Sequence, residues 1–220
     1  MALFWQLRRF LLPALSLLLP HPGEAATICF SPHCGRDGLG NWIFEVGAAT
    51  ITDASIKDFA SPEISLHQAS GPGAGTIYSL TAARRLGELR WEIGGHTFTP
   101  QLEVPFTLEI VDENARRPFL DFNASFTVRW VDFPWNKYVK TTFAMGIGLS
   151  YSERVYLIDQ ERHPGQDRSK LKFNWPIQLT LAHPDYPRHQ LIFFIAHQSG
   201  GHVFDTGGVN SLGIGYRHEF

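Results

Sequence analysis

The chain has 220 residues and a formal net charge of −2, a balance that gives no reason to expect a nucleic-acid partner. Charged residues make up 18% of the chain and aromatic residues 13%, which is fewer charges and more rings than usual. This composition suits a protein that turns apolar side chains toward lipid and places aromatic rings at the membrane interfaces.

Residues 1–25 have the features of a secretory signal peptide. Arg8 and Arg9 precede a mostly apolar run from Phe10 to Leu19, and small residues at Gly23 and Ala25 fit a cleavage site. A membrane-spanning helix needs roughly 20 apolar residues, so this run is too short for a transmembrane anchor. We therefore predict cleavage at Ala25 and export of the remaining chain.

Residues 26–40 are predicted to form a periplasmic N-terminal segment. It contains Cys29 and Cys34, which in an exported protein favour a small disulfide loop. A metal site that includes His33 is the alternative, but no second pair of ligands is evident in the sequence. We predict no metal and no cofactor.

Residues 41–220 contain eight segments in which bulky apolar residues alternate with small or polar ones, as in a strand that has different surroundings on its two faces. The clearest runs from Leu120 to Trp130, while Leu80 to Leu86 could also pass for a helical turn. The predicted strands are 42–48, 76–85, 89–94, 120–130, 143–151, 173–181, 191–199 and 210–220.

Alternation also occurs in soluble sandwiches, so two further features decide between the architectures. The minority face carries charged residues that could pair inside a narrow lumen, namely Arg90, Glu92, Asp121, Arg129, Arg217 and Glu219. The predicted connections also alternate in length, with short turns near 87–88, 133–137 and 183–188 and longer loops over 52–75, 104–119, 153–170 and 200–208.

These features predict an all-β fold, an eight-stranded antiparallel transmembrane β-barrel of the bacterial outer membrane. Both termini would lie in the periplasm, and the final strand ends on the aromatic residue Phe220. The interior of a barrel of this size is filled by side chains, so we predict no pore.

The best candidate for chemistry lies on the last two strands. His197 and Ser199 are two residues apart, so they share a face with Phe193, which we assign to lipid. Counting back from Phe220 in steps of two places Asn210 on the same side of the last strand. Polar side chains that face hydrocarbon are costly and are functional candidates by default.

This trio has the composition of a nucleophilic site. A serine hydroxyl needs a base to take its proton, and the base needs a third group to hold it in the right tautomer. We assign these roles to Ser199, His197 and Asn210 in that order. The backbone amides of Gly200 and Gly201 could stabilise an oxyanion, because glycine lets a substrate approach the chain closely.

The His-x-Ser pair, the glycine-rich loop and the final strand ending in Phe220 resemble the lipid A 3-O-deacylase (PagL-type) family, an acyloxyacyl hydrolase-like group of barrels. The resemblance implies metal-free hydrolysis of the ester at the 3-position of lipid A by a Ser-His-Glu triad on the outer surface. It covers residues 191–220. Two positions depart from the family, because Asn210 stands where the acid is expected and Gly200 where an asparagine follows the serine.

Two other interpretations stay open: a non-catalytic small barrel with a structural or surface-interaction role, and a family member that binds lipid A but turns it over slowly. The expected partners are lipopolysaccharide and the outer membrane, and a homodimer is left open. Basic residues of the third long loop could attract the phosphates of lipid A, namely Arg162, His163, Arg168, Lys170 and Lys172.

Overall fold

Eight long antiparallel strands close into a barrel. The computed structural model describes residues 26–30, 41–54, 69–93 and 96–220. Two short strands are not part of the barrel. β1 (Ala26–Phe30) precedes it in the sequence, and β4 (His96–Phe98) lies in the connection between the second and third barrel strands. The barrel strands are β2 (Trp42–Thr52), β3 (Gly75–Ile93), β5 (Gln101–Glu113), β6 (Phe119–Trp130), β7 (Lys140–Ser152), β8 (Leu171–Ala182), β9 (His189–Ser199) and β10 (Gly208–Glu219).

Each barrel strand pairs with the next along the chain, and β10 returns to pair with β2. The predicted eight-stranded antiparallel barrel is therefore confirmed. A short helix, α1 (Leu157–Arg162), lies in the connection between β7 and β8. Among the described residues, no helix is long and apolar enough to cross a membrane.

The number of strands was predicted correctly, but two segments were assigned wrongly. Residues 76–85 and 89–93 belong to the single strand β3, and the predicted turn at Gly87 and Glu88 is a register shift between Arg85 and Gly87. The predicted loop over 104–119 contains most of β5, so only residues 114–118 connect β5 to β6. The helical alternative for Leu80 to Leu86 is also wrong, because these residues are all in β3.

The connections from β2 to β3 and from β7 to β8 are the longest within the barrel, and the strand ends that they join lie at one end, which we call the loop end. Phe220 lies at the opposite end, which we call the terminal end, where its backbone N–H donates to the carbonyl of Trp42 at 3.0 Å. After its register shift, β3 extends past the rim of the barrel at the terminal end. There it pairs with β1 along one edge and with β4 along the other.

The outer wall of the barrel is apolar. On β2, Phe44 and Val46 are exposed while Ile43 and Glu45 are buried, and the other strands repeat this alternation. The exposed wall residues include Tyr78, Leu80, Phe106, Leu108, Ile110, Phe122, Phe126, Met145, Ile147, Leu149, Leu191, Phe193, Ile214 and Tyr216. A closed barrel satisfies all its backbone hydrogen bonds between strands, so with this apolar wall the protein is a transmembrane barrel of the bacterial outer membrane.

The terminal half of the lumen holds a buried ion-pair network. Arg217 Nη1 lies 2.6 Å from Glu45, and its Nη2 lies 2.6 Å from Glu103 and 3.1 Å from Glu219. Arg129 binds Glu103 through Nε at 3.1 Å, and Arg85 binds Glu219 at 2.8 Å. Three guanidinium groups thus face three carboxylates inside the wall.

Three of the six residues predicted for such a network, Arg129, Arg217 and Glu219, are in it. Asp121 is also inside the barrel, but it accepts hydrogen bonds from Ser150, Ser152, Tyr156 and Gln198. The prediction for Arg90 is wrong, because this residue lies on the exposed face of the part of β3 that extends past the rim. The side chain of Glu92 lies outside the described residues.

An apolar cluster closes the loop end of the lumen. Ile51, Ile77 and Val111 point inward from their strands and pack with Tyr156 and Ile158, which belong to the segment around α1. Between this cluster and the ion pairs lies a cavity of about 50 Å³ whose lining includes Thr107 and Asn123, with room for a few water molecules. The lumen is therefore plugged at both ends of this cavity.

Replacing Arg217 tests the network. Arg217→Met leaves three buried carboxylates with fewer cations, and we expect the free energy of unfolding to fall by about 3–5 kcal/mol, the usual cost of breaking a buried pair. Urea unfolding of the folded barrel in detergent, followed by tryptophan fluorescence, measures this. Arg84→Met is the control, because Arg84 is exposed and lies over the ring of Trp42. Equal losses in both variants would contradict a stabilising role for the network.

Candidate active site

The alternation of side chains along β9 determines which way the candidate residues point. Gln198 is buried in the lumen, where its Nε2 donates to Asp121 at 2.9 Å. Its two neighbours, His197 and Ser199, therefore project through the opposite face of the strand, the same side as the exposed Leu191 and Phe193. Both residues thus lie on the outer wall near the loop end of the barrel.

His197 and Asn210 form a cross-strand pair. They are directly opposite each other in the register of β9 and β10, and His197 Nδ1 lies 2.5 Å from Asn210 Oδ1. The Asn210 side chain is on the outer side of β10, because its neighbours Val209 and Ser211 are buried in the barrel. Strand register alone therefore brings the imidazole and the carboxamide together.

A second hydrogen bond fixes the orientation of the Asn210 amide. Its Nδ2 donates to the backbone carbonyl of Ala54 at 2.7 Å, and a carbonyl can only accept. The Oδ1 atom must then face His197 as an acceptor, so Nδ1 of the imidazole carries the proton. His197 Nε2 is left with a lone pair, which is the state that a general base requires.

Ser199 is close to this pair but is not bonded to it in this conformation. Its Oγ accepts a hydrogen bond from the backbone N–H of Gly201 at 3.2 Å. Within the described part of the chain, no hydrogen bond joins Ser199 Oγ to the ring of His197. Transfer of a proton from Ser199 to the ring would require Oγ to come within hydrogen-bonding distance of Nε2.

The two glycine amides assigned to an oxyanion site have different partners. Gly200 N–H donates to the carbonyl of Gly207 at 2.9 Å, which closes the loop between β9 and β10. Gly201 N–H points to the Ser199 hydroxyl and has a φ of 59°, a left-handed conformation that favours glycine. A side chain at Gly201 would also press against the ring of Phe173. Of the two amides, only that of Gly201 is directed at the hydroxyl of Ser199.

Aromatic side chains flank the serine. Phe173 and Trp175 on β8 are the register partners of Ser199 and His197, and the ring of Phe173 packs 5.0 Å from that of Phe204 in the following loop. Val203, in the same loop as Phe204, is exposed. The hydroxyl therefore lies at the edge of an apolar surface that continues into the lipid-facing wall.

Four buried charged side chains, two acidic and two basic, connect the β9–β10 loop to the β7–β8 loop. Asp205 accepts hydrogen bonds from Lys172 Nζ at 2.7 Å, Arg168 Nη2 at 3.1 Å, Ser169 N–H at 2.8 Å and Gly207 N–H at 2.9 Å. Arg168 and Lys172 also contact Asp159 of α1, at 2.8 and 2.9 Å. We call Asp159, Arg168, Lys172 and Asp205 the loop ion cluster.

The cluster changes the assignment of phosphate-binding residues. Arg168 and Lys172 are buried against two carboxylates, so they are not available at the surface as the sequence predicted. His163 contacts Asp159, and Arg162 is exposed with its Nη2 donating to the carbonyl of Asp53. Lys170 is exposed at the loop end.

The protonation of Asp205 follows from these contacts. Burial alone would raise the pKa of its carboxyl group, but hydrogen bonds from Lys172 and from the N–H groups of Ser169 and Gly207 outweigh burial and hold the pKa below its ordinary value. Asp205 is therefore a carboxylate whenever the loop is folded near neutral pH.

Sequence reasoning missed the loop ion cluster and the contact between Asn210 and Ala54. The bond from Gly207 N–H to Asp205 is an Asx turn, for which the Asp-Thr-Gly sequence was an available signal. The partners of Asp205 on the β7–β8 loop, and the carbonyl of Ala54, have no local sequence signal. Cys34 and the side chain of Cys29 lie outside the described residues, so the disulfide stays a prediction.

In the part of the chain that is described, no three His, Cys, Asp or Glu side chains are arranged to hold a metal ion. The trio of Ser199, His197 and Asn210 contains no carboxylate. Its chemistry is that of a hydroxyl, a neutral base and an orienting amide.

Replacing Asp205 tests whether the loop ion cluster holds the loop after Ser199. In Asp205→Asn we expect hydrogen exchange of the Ser169 and Gly207 amides to accelerate by about tenfold or more, since hydrogen bonds to a charged acceptor are lost. Because the folded pKa is lowered, the contribution of Asp205 is complete above the ordinary pKa of about 3.9 and is lost as the pH falls through the lower folded value.

The control is Asp185→Asn, whose side chain is 80% exposed in the turn at the terminal end. It should leave the Ser169 and Gly207 amides unchanged. Unaltered exchange in Asp205→Asn, or an equal change in Asp185→Asn, would show that the loop is held by other contacts.

No known family profile matches the chain, and no curated protein matches it. Among solved structures, the outer membrane enzyme PagL is similar at 17% identity over 80% of this chain and 99% of its own, with a TM-score of 0.46. Neisserial surface protein A is similar at 15% identity over 84% of this chain and 100% of its own, with a TM-score of 0.46. The Ail protein of Yersinia pestis is similar at 15% identity over 81% and 99%, with a TM-score of 0.35. These neighbours include an enzyme and a surface protein, so likeness in fold does not select a function.

Proposed function

We propose that this barrel is an ester hydrolase that removes an ester-linked acyl chain from the 3-position of lipid A in the outer leaflet. The observation that carries the proposal is the hydrogen-bonded pair of His197 and Asn210 beside Ser199, on the lipid-facing wall at the loop end. Long loops of outer-membrane barrels are extracellular, so this end of the wall meets lipopolysaccharide.

In the first half of the reaction, Ser199 Oγ attacks the ester carbonyl carbon while its proton passes to His197 Nε2. The carbonyl oxygen becomes an oxyanion, for which the Gly201 N–H is the donor that now faces the hydroxyl. When the carbon–oxygen bond to the sugar breaks, His197 returns the proton to the leaving alkoxide. The acyl chain stays on Ser199 as an ester.

In the second half, His197 takes a proton from water, and the resulting hydroxide attacks the acyl-serine. The serine oxygen leaves and regains its proton from the imidazolium, which releases the fatty acid. Each proton is exchanged at Nε2, so Nδ1 keeps its proton throughout. The bond from Nδ1 to Asn210 Oδ1 maintains that tautomer.

The surroundings of the serine favour a substrate that is already in the membrane. Phe173, Trp175 and Phe204 provide an apolar surface for an acyl chain, and the same surface continues into the wall that hydrocarbon covers. Lys170 is exposed at the same end of the barrel, and we propose it as a ligand for a phosphate of lipid A. An ester near the headgroups could reach Ser199 without leaving the bilayer.

Replacing Ser199 tests the activity. Mass spectrometry of lipid A from cells that express the protein should show loss of one hydroxyacyl chain, and Ser199→Ala should restore the full set of chains because no nucleophile remains. Ser70→Ala is the control, because Ser70 is an exposed serine of a loop at the same end. Full acylation with the unaltered, correctly inserted protein would indicate a non-catalytic barrel instead.

Replacing Asn210 tests the tautomer argument. Asn210→Leu removes the acceptor of His197 Nδ1, and we expect kcat to fall by up to about 10⁴-fold with little change in KM, since loss of tautomer control in a Ser-His site costs this much. Deacylation of purified lipid A in detergent micelles gives both constants.

Thr52→Val tests the alternative that Asn210 acts by holding Ala54 in place after β2, and not by orienting His197. Thr52 Oγ1 accepts a hydrogen bond from Ala54 N–H at 3.1 Å, so the variant loosens the same residue that Asn210 holds without touching His197. Its kcat should stay near that of the unaltered protein. A fall as large as in Asn210→Leu would mean that Asn210 acts by anchoring the loop.

A further inference from the structure

A second cluster of potential ligands lies on the outer wall at the terminal end of the barrel. His189 begins β9, and Tyr216 and His218 lie near the end of β10. The exposed neighbours Ile214 and Phe220 show that Tyr216 and His218 are on the outward face of β10. This position is at the opposite end of β9 from Ser199, so the cluster is independent of the proposed active site.

The strand register brings the two histidines together. His189 is directly opposite His218, and the adjacent pair of Arg188 and Glu219 is joined by a hydrogen bond of 3.1 Å from Glu219 N–H to the Arg188 carbonyl. His189 and His218 therefore occupy the neighbouring non-hydrogen-bonded position, where opposing side chains approach most closely. Their ring centroids are 4.6 Å apart.

Three atoms that can act as metal ligands lie close together: two imidazole nitrogens and one phenol oxygen. The Tyr216 hydroxyl lies 2.5 Å from Nδ1 of His189 and 3.4 Å from Nδ1 of His218. Both imidazoles thus direct the same ring nitrogen at one phenol oxygen. Phe220 closes one side, with its ring edge-to-face with His218 at 4.5 Å.

We propose that His189, His218 and Tyr216 form a binding site for a divalent transition-metal ion of the copper and zinc class. Imidazole nitrogen suits these ions, whereas magnesium and calcium require oxygen ligands, and this cluster contains no carboxylate. Two imidazoles in van der Waals contact can place their nitrogens at about 2.0–2.1 Å from one ion with small ring rotations. Tyr216 supplies the third ligand by releasing its hydroxyl proton to water.

Cu²⁺ is the probe, because it binds nitrogen ligands most tightly among the first-row ions and is visible by electron paramagnetic resonance. The full chain in detergent should bind one Cu²⁺ with hyperfine coupling to two imidazole nitrogens and with a phenolate-to-copper absorption band. His189→Gln and His218→Gln should each weaken binding by at least about tenfold. His183→Gln is the control, because His183 is an exposed histidine in the turn just before β9.

Tyr216→Phe assigns the third ligand. We expect this variant to keep the coupling to two nitrogens and to lose the phenolate band, with weaker binding. Unchanged Cu²⁺ affinity in His189→Gln and His218→Gln, or an equal loss in His183→Gln, would overturn the site and leave these rings as interface aromatics. Persistence of the phenolate band in Tyr216→Phe would overturn the role of Tyr216.

Discussion

The pairing of β10 with β2 closes the barrel, and the other features of the molecule depend on that seam. Between its two neighbours, β10 turns Arg217 inward to three carboxylates and Asn210 outward to His197. The contact between Asn210 and Ala54 crosses the seam, since Ala54 directly follows β2. If β10 slipped by one residue, Arg217 would face hydrocarbon and Asn210 would face the lumen. Arg217 would lose its carboxylate partners and Asn210 would lose its contact with His197, so the shifted register would be strongly unfavourable.

The orientation of strands β9 and β10 could be predicted from sequence because it depends only on spacing within a strand. Gln198 between His197 and Ser199, and Ser211 after Asn210, confirm the assignment by being buried. Strand β5 could not be found in the same way. It contains Pro105 and the carboxylates of Glu103 and Glu113, residue types that strands usually avoid.

The structure explains why β5 is nevertheless a strand. Glu103 is tolerated because Arg129 and Arg217 reach it across the lumen, from strands that are distant in sequence. The paired register between β5 and β6 skips Pro105, which has no N–H to donate. The bonds from Asn210 to Ala54 and from Lys172 to Asp205 are also long-range, so the spacing that predicted the trio could not predict what holds it in place.

The use of an amide beside His197 has a physical basis in the surroundings of that side chain. Asn210 is only 6% exposed and lies on a wall that faces hydrocarbon, where an unpaired carboxylate would be costly to bury. Its Nδ2 also meets the carbonyl oxygen of Ala54, which a carboxylate oxygen would repel. An amide therefore holds the tautomer of His197 at low cost in stability, but it cannot stabilise the imidazolium by charge. In the proposed reaction, such a site would have a well-fixed resting state and would lack part of the transition-state stabilisation that a carboxylate would supply.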